Sequence, residues 1–357
     1  MNTTTHTRTL ATILFAWTLL LPALVAAAAG PEAESAPKAA APPGETAAPE
    51  EEDPFQAAVG QLKDKDPMLR RRAADQLGRM RNPKGVEALL DTAKDPDPFV
   101  RAAVVDALGL LRARESVETI SRLLKTDENP QVRQQAAIAL SYIGAQSSQE
   151  ALIEALGDKT DGVRFAAART LGALRSTQAA APLGELLEDS SIGMRRAAAS
   201  ALGQIRAEES LPALKKSLKD EDVYVRREAV KALGRIGGEG IEKSLKEMYE
   251  DPDPLVRIHS ALALSRFGDA SGEGVVVKLL THEDVRARQQ AASVLGTIGT
   301  GKATLPALQK AFEAEEHPSV KKAIEFAMAQ LKARLGIKEE APPQEKPSEQ
   351  KPQKKAK

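Results

Sequence analysis

A basic residue returns at nearly constant spacing along most of this chain. Arginine recurs every 31 or 32 residues, and lysine takes a ninth position 33 residues after the last of them. The positions are Arg70, Arg101, Arg133, Arg164, Arg195, Arg226, Arg257, Arg288 and Lys321. A large apolar residue follows seven residues after each of them. A period of this length is typical of stacked repeats, so the chain cannot form one globular core. We call the basic residue the repeat arginine.

The sequence around each repeat arginine predicts one amphipathic helix. In residues 225–236, VRREAVKALGRI, apolar residues lie one position before the arginine and 3, 6, 7 and 10 positions after it, on one helical face. Four positions before the arginine stands a residue able to cap a helix N-terminus. These residues are Asp66, Asp97, Asn129, Thr160, Ser191, Asp222, Asp253 and Asp284. Glycine or arginine eleven positions after the repeat arginine predicts the helix end.

A second apolar pattern precedes each of these helices. Leu183 and Leu187, for example, lie 12 and 8 positions before Arg195. Each repeat is therefore two antiparallel helices, and neither can bury its apolar stripe without neighbouring repeats. The sequence predicts an all-α fold, a right-handed α-solenoid of about nine two-helix repeats.

The repeat pattern resembles the HEAT repeat, in particular the short bacterial form similar to the repeats of phycobilin lyases. The resemblance covers residues 53–335 and includes an aspartate six positions before the first seven repeat arginines. These are Asp64, Asp95, Asp127, Asp158, Asp189, Asp220 and Asp251. The resemblance implies an armadillo/HEAT-type superhelix in which aspartate and arginine form a hydrogen-bonded ladder. Because His282 and Glu315 replace the last two aspartates, we expect that end to be looser.

The segments on either side of the repeats differ from them in composition. Residues 1–29 contain His6 and Arg8, an apolar run and four successive alanines, which predicts a signal peptide and a periplasmic or secreted protein without a membrane span after cleavage. The alternative is a retained membrane anchor. Residues 30–52 are predicted to be a disordered Pro/Ala/Glu linker, and residues 336–357 a disordered Lys/Pro-rich tail.

No group of residues in the sequence predicts catalysis. The chain has no cysteine, no phosphate-binding glycine loop and no spacing suggestive of a catalytic triad. His282 beside Glu283 and His317 beside Glu316 could contribute to a metal site, but solvated turn residues are the commoner case. We expect no cofactor and no enzymatic activity. The alternative is an enzyme or enzyme subunit on the same scaffold, either similar to a bilin lyase or dependent on a metal.

The second helix of each repeat is expected to line the concave face of the solenoid. Its most exposed positions lie one, five and nine residues after the repeat arginine, and they hold nine basic and two acidic residues although the whole chain has zero net charge. Among these basic residues, the predicted partner-binding ones are Arg169, Arg196, Arg227, Lys231, Arg235 and Arg266. The alternative is that these cations pair with acidic residues of neighbouring loops.

The same positions hold an unusual run of apolar residues in repeats 2 to 4. Leu110, Ile138, Tyr142 and Phe165 are predicted to form an exposed anchor patch, and Ile258 and Leu262 are predicted to be exposed in repeat 7. The alternative is that curvature buries these side chains. Together the patterns predict an exported, non-catalytic scaffold that binds an acidic polypeptide or anionic polymer on its concave face. Export argues against a nucleic-acid partner.

Overall fold

The computed structural model describes residues 53–337, and within this span the regular structure is entirely helical. The 18 α-helices form nine pairs. The first helices of the pairs are α1 (Pro54–Gln61), α3 (Val86–Thr92), α5 (Val117–Thr126), α7 (Gln149–Glu154), α9 (Ala180–Glu185), α11 (Leu211–Ser217), α13 (Ile241–Glu247), α15 (Glu273–Lys278) and α17 (Thr304–Ala314). The second helices are α2 (Pro67–Met80), α4 (Pro98–Leu110), α6 (Pro130–Ile143), α8 (Asp161–Leu174), α10 (Ile192–Ile205), α12 (Val223–Ile236), α14 (Pro254–Ser265), α16 (Val285–Ile298) and α18 (Pro318–Leu335).

The order of helix contacts is that of a solenoid. Each second helix packs against the second helix of the next repeat, from α2 on α4 through to α16 on α18, and against the first helix of its own repeat. This arrangement confirms the predicted all-α solenoid. The predicted signal peptide, the linker at residues 30–52 and all but the first two residues of the tail lie outside the described residues. None of the helices between residues 53 and 337 is long and apolar enough to cross a membrane.

The core is built from the periodic apolar residues. The leucine seven positions after the repeat arginine, such as Leu202 in α10, has no solvent exposure in the first eight repeats. Neighbouring second helices approach closely because the next position is usually glycine: a Cβ on Gly203 would lie 2.8 Å from the Cα of Ala232. A larger residue at Gly203 would push α10 and α12 apart.

The helix caps agree with the sequence pattern in most repeats. The side chains of Asp66, Asp97, Asn129, Asp222, Asp253 and Asp284 accept hydrogen bonds from backbone N–H groups of the first turn. The predicted caps Thr160 and Ser191 make no such bond, so that part of the prediction was wrong. At the other end, Arg206 adopts the left-handed conformation (φ 62°) that glycine more often supplies.

A ladder of ion pairs connects successive repeats. Arg101 donates from Nε and Nη2 to the carboxylate of Asp127, at 2.7 and 2.8 Å, and from Nη1 to the backbone carbonyl of Asp95 at 2.8 Å. Six repeat arginines bind in this way to the next repeat's acid and to the backbone of their own repeat. Arg164 binds the acid of the next repeat together with Asp161 of its own helix. The pairs are Arg70–Asp95, Arg101–Asp127, Arg133–Asp158, Arg164–Asp189, Arg195–Asp220, Arg226–Asp251 and Arg288–Glu315.

The ladder is interrupted between the seventh and eighth repeats. Glu315 was expected to break it, but its carboxylate receives Arg288 Nε at 2.6 Å and Nη2 at 3.0 Å, so that expectation was wrong. His282 does break it. Its Nδ1 accepts from the backbone N–H of Asp284, as the aspartates do in their own turns, but it offers no carboxylate to Arg257. The Nε of Arg257 is buried without a hydrogen-bond partner. The buried apolar residues also separate into two clusters at α14.

Candidate functional site

The exposed positions of the second helices form a continuous face, which we call the second-helix face. It comprises the residues one, five and nine positions after each repeat arginine. In the third, fourth and fifth repeats, the side chain at the first of these positions contacts the residue two positions before the next repeat arginine. Arg196, for example, lies over the ring of Tyr224 at 4.9 Å, and Phe165 packs on Gly193. These contacts join neighbouring repeats along the face.

A groove of about 870 Å³ crosses this face at α6, α8 and α10 and reaches α12. Its walls combine three predicted apolar anchors with two predicted basic residues: Ile138, Tyr142, Phe165, Arg169 and Arg196. From the sequence, the basic residues and the apolar anchors were two separate features of the exposed positions. In the structure they are parts of the same groove.

The groove is open because small residues form its floor. Gly162 and Gly193 lie two positions before their repeat arginines, where three other repeats carry the exposed side chains of Met68, Phe99 and Tyr224. A Cβ on Gly193 would collide with the Phe165 ring. These two glycines were not identified from the sequence, although most of the other repeats carry a large residue at the same position.

The apolar residues differ in how much of each side chain is accessible. Tyr142 is 51% exposed, whereas Ile138 and Phe165 are partly buried against the core and present only part of their surface to the groove. Leu110 is exposed on α4, next to the groove rather than in its lining. Ile258 has no exposure and packs in the core, so its predicted exposure was wrong.

The predicted basic residues divide into paired and unpaired groups. Arg227 donates from Nε to Asp253 of the following repeat at 2.9 Å, and this bond raises the arginine pKa. Lys231 Nζ lies 3.0 Å from Glu228 on the same helix. These two cations are therefore neutralised locally, as the alternative interpretation of the strip expected.

The other four basic residues make no ion pair within residues 53–337. They are Arg169, Arg196, Arg235 and Arg266. Arg196 stacks on an aromatic ring, and Arg266 makes only a long 3.4 Å hydrogen bond to the carbonyl of Gly234. Their charges remain available to an external anion.

Two smaller depressions flank the groove on the same face. Toward the C-terminus, a pocket of about 190 Å³ is lined by Lys231, Arg235, His259, Arg266 and Gln290 among others, and no acidic residue lines it. Burial, with smaller contributions from nearby cations, lowers the pKa of His259 to about 4, so its imidazole is neutral at pH 7. Its Nδ1 is buried without a hydrogen-bond partner.

The depression toward the N-terminus has the opposite character. It measures about 320 Å³ and contains Asp75 and Asp106 beside Phe99 and Arg71. Burial and, to a smaller extent, the charge of Asp75 raise the pKa of Asp106, whose carboxylate accepts from Gln135 Nε2 at 2.6 Å. Along the second-helix face the acidic residues Asp75 and Asp106 therefore lie in the first two repeats, beside Arg71 and Arg79, whereas the sixth and seventh repeats hold only basic charges at these positions.

The histidines considered as metal ligands serve in the turns before second helices. His282 Nδ1 accepts from the backbone of Asp284, and His317 Nδ1 lies 3.0 Å from the hydroxyl of Ser319. Between residues 53 and 337, no three histidine, cysteine or carboxylate side chains lie close enough together to hold a metal ion.

Comparison with solved structures finds similarities of fold. One is the crystal structure of an engineered protein, 24% identical, covering 78% of this chain and 88% of that chain with a TM-score of 0.44. Another is the Escherichia coli protein YibA, 24% identical, covering 72% of this chain and 95% of that one with a TM-score of 0.48. Human deoxyhypusine hydroxylase in complex with glycerol is 23% identical over 60% of this chain and 84% of its own, with a TM-score of 0.31.

A search of curated proteins finds no significant match. Comparison with sequence families gives a clear result. The profile of HEAT repeats matches residues 56–141, 117–193, 181–249 and 241–329, in overlapping stretches that take in all nine helix pairs at least in part. The chain therefore belongs to the HEAT-repeat family.

Proposed function

We propose that this protein is a non-catalytic scaffold that binds an acidic polypeptide segment in the groove of the second-helix face. The observation that carries the proposal is the combination, in one groove, of the apolar side chains of Ile138, Tyr142 and Phe165 with the unpaired guanidinium groups of Arg169 and Arg196. An apolar side chain of the partner would cover the former, and carboxylates would pair with the latter.

The two parts of the groove would contribute differently to binding. Aromatic and aliphatic side chains that lose water at the centre of an interface supply much of its affinity. The guanidinium groups bind carboxylates through paired, charge-assisted hydrogen bonds. They also make association sensitive to salt, because attraction between exposed charges is screened over about 8–10 Å at physiological ionic strength.

The groove favours a polypeptide over a purely anionic polymer. A polymer without apolar groups would pair with Arg169 and Arg196 but would leave the exposed surface of Tyr142 in water. An acidic segment with one aromatic or aliphatic residue matches both the charge and the apolar wall. Because Arg227 and Lys231 already form ion pairs with acidic residues of this chain, they are not among the proposed electrostatic contacts.

The proposed setting is the periplasm or the cell exterior. The support comes from residues 1–29, whose basic start, apolar run and alanine-rich end are those of a signal peptide. Mass spectrometry of the protein isolated from its native cells tests this proposal. A mature N-terminus near residue 30 is expected, whereas an intact N-terminus in the cytoplasmic fraction would contradict export.

Fluorescence anisotropy with labelled peptides tests the binding proposal. The probe is a nine-residue peptide containing Glu-Phe-Glu in a Gly/Ser background, and the matched peptides replace Phe by Ser or both Glu by Gln. We expect Arg169→Glu with Arg196→Glu, or Tyr142→Ser with Phe165→Ser, to weaken binding by at least tenfold. Only the arginine contribution should fall with added salt.

The matched control reverses the same number of charges elsewhere. Arg122 and Lys243 are exposed on the first helices α5 and α13, away from the second-helix face. Arg122→Glu with Lys243→Glu should leave the affinity within about twofold of wild type. Circular dichroism checks that every variant stays folded. Equal losses in the groove and control variants would refute the groove as the binding surface.

A further inference from the structure

We infer that the basic pocket between α12, α14 and α16 is a second subsite that holds an oxyanion of the same partner. In the partner's sequence, the residue carrying this oxyanion lies six to eight residues from the apolar residue held in the groove. This inference rests on the proposed function, because it assumes that an acidic polypeptide lies in the groove. It adds the spacing of the recognised groups and the residues that hold the distal one.

The pocket has the composition of an anion site. Arg235 has no ion pair within the described residues, and the guanidinium of Arg266 bonds only the carbonyl of Gly234. The ammonium of Lys231 borders the same space, although Glu228 lies 3.0 Å from it. Three cationic side chains therefore surround about 190 Å³ in which no carboxylate takes part in the lining.

Two neutral side chains complete the surroundings. His259 lines the pocket, and its Nδ1 has no hydrogen-bond partner. The side-chain amide of Gln290 makes no hydrogen bond to the described part of the chain, so it is free to donate. An oxyanion could accept bonds from Arg235, Arg266 and Gln290 together. A carboxylate and a phosphoryl group share this chemistry.

The position of the pocket sets the spacing. The groove is centred on α8, and the pocket lies between α12 and α14, about two and a half repeats further along the same face. With neighbouring helix axes about 8–10 Å apart, the two are about 20–25 Å apart. An extended chain covers about 3.3 Å per residue, so six to eight residues connect them.

A spacing series of labelled peptides tests the inference. Every peptide keeps the Glu-Phe-Glu segment and carries a distal Glu-Glu pair that begins three or seven positions from Phe, on its N-terminal or its C-terminal side, with Gly/Ser residues in between. A further peptide replaces the distal pair by phosphoserine. Affinities are measured by anisotropy for wild type, for Arg235→Ala with Arg266→Ala, and for the control Arg122→Ala with Lys243→Ala.

We expect the seven-residue spacing, on one of the two sides, to bind wild type about tenfold more tightly than the three-residue spacing. The pocket variant should lose this preference and still bind the Glu-Phe-Glu segment, and the control should keep it. The ring resonances of His259 should shift only with the longer peptide. Stronger binding of the phosphoserine peptide would identify a phosphoryl source, and equal binding a carboxylate.

Failure of this inference differs from failure of the proposed function. If both spacings bind wild type equally, or if the preference persists in the pocket variant, the second subsite is refuted while groove binding stands. If no peptide binds, or if the Tyr142→Ser and Phe165→Ser changes leave binding intact, the proposed function is refuted and the inference with it.

Discussion

Removal of one carboxylate from the ladder should destabilise the solenoid far more than removal of an exposed one. Asp127 is the clearest case, because its side chain is 3% exposed and that of its partner Arg101 is 10% exposed. The carboxylate accepts Arg101 Nε and Nη2 at 2.7 and 2.8 Å and the backbone N–H of Asn129 at 2.9 Å. Asp127→Ala removes all three bonds.

The loss follows from the charge that stays behind. In the variant, Arg101 keeps hydrogen bonds from Nη1 to the carbonyls of Asp95 and Pro96 but has no carboxylate. Removal of one partner from a buried ion pair typically costs about 3–5 kcal/mol, because the remaining charge is desolvated and uncompensated. The next pair should survive, since Arg133 Nη1 donates to the backbone carbonyl of residue 127.

The control is an equally short ion pair on the surface. Glu188 lies 2.6 Å from Lys216, but the two side chains are 66% and 72% exposed. Glu188→Ala should cost less than about 1 kcal/mol. Urea unfolding followed by circular dichroism compares the variants, and hydrogen exchange locates the weakened repeats, because a solenoid need not unfold in one step. Similar unfolding midpoints for the two variants would refute the structural role of the ladder.

Three further predictions concern the stability of the repeats. Leu202→Ala should lower the free energy of unfolding by about 2–5 kcal/mol because Leu202 is fully buried, whereas Ser200→Ala in the groove should change it by less than about 0.5 kcal/mol. Equal losses in urea unfolding would show that the buried face of α10 is assigned wrongly. His282→Asp should supply the missing partner of Arg257 and raise stability by about 1–3 kcal/mol, and a neutral or lower unfolding midpoint would contradict this explanation of the interrupted ladder. Hydrogen bonds from Arg288 lower the pKa of Glu315 to about 2, so the stability that this pair contributes is complete above the ordinary pKa of 4.5 and is lost as the pH falls from 4.5 toward 2. Glu315→Gln should therefore make the free energy of unfolding less dependent on pH in this range, and an unchanged pH dependence would contradict the prediction.

The repeat pattern was sufficient to predict the fold because each structural requirement has its own residue in every repeat. The buried leucine, the N-cap and the repeat arginine recur in register, and stacking is the one way to bury all the apolar stripes. The repeat pattern could not predict which individual side chains are long enough to meet their partners in the ladder. Glu315 keeps the ladder because its longer side chain still meets Arg288, whereas His282 lacks the second acceptor and the charge.

The candidate site could be predicted only in part. Helical angle identified the second-helix face, but it treated each repeat alone and therefore missed contacts between repeats. The pairing of Arg227 with Asp253 depends on a turn of the following repeat, and the burial of Ile258 depends on packing at the seventh and eighth repeats. The groove likewise depends on Gly162 and Gly193, whose effect is to leave space for the side chains of neighbouring repeats.

The most direct test of the binding proposal is site-specific photo-crosslinking in the native cells. A benzoylphenylalanine replaces Tyr142, which lines the groove, or Arg122, which lies on a first helix. Crosslinked partners are identified by mass spectrometry, with and without Arg169→Glu and Arg196→Glu. Binding in the groove predicts that position 142 captures a polypeptide through an acidic segment containing an apolar residue. Position 122 should not capture it, and the charge reversals should abolish the product. Capture of the same partner from position 122, or capture from position 142 that survives the reversals, would contradict it.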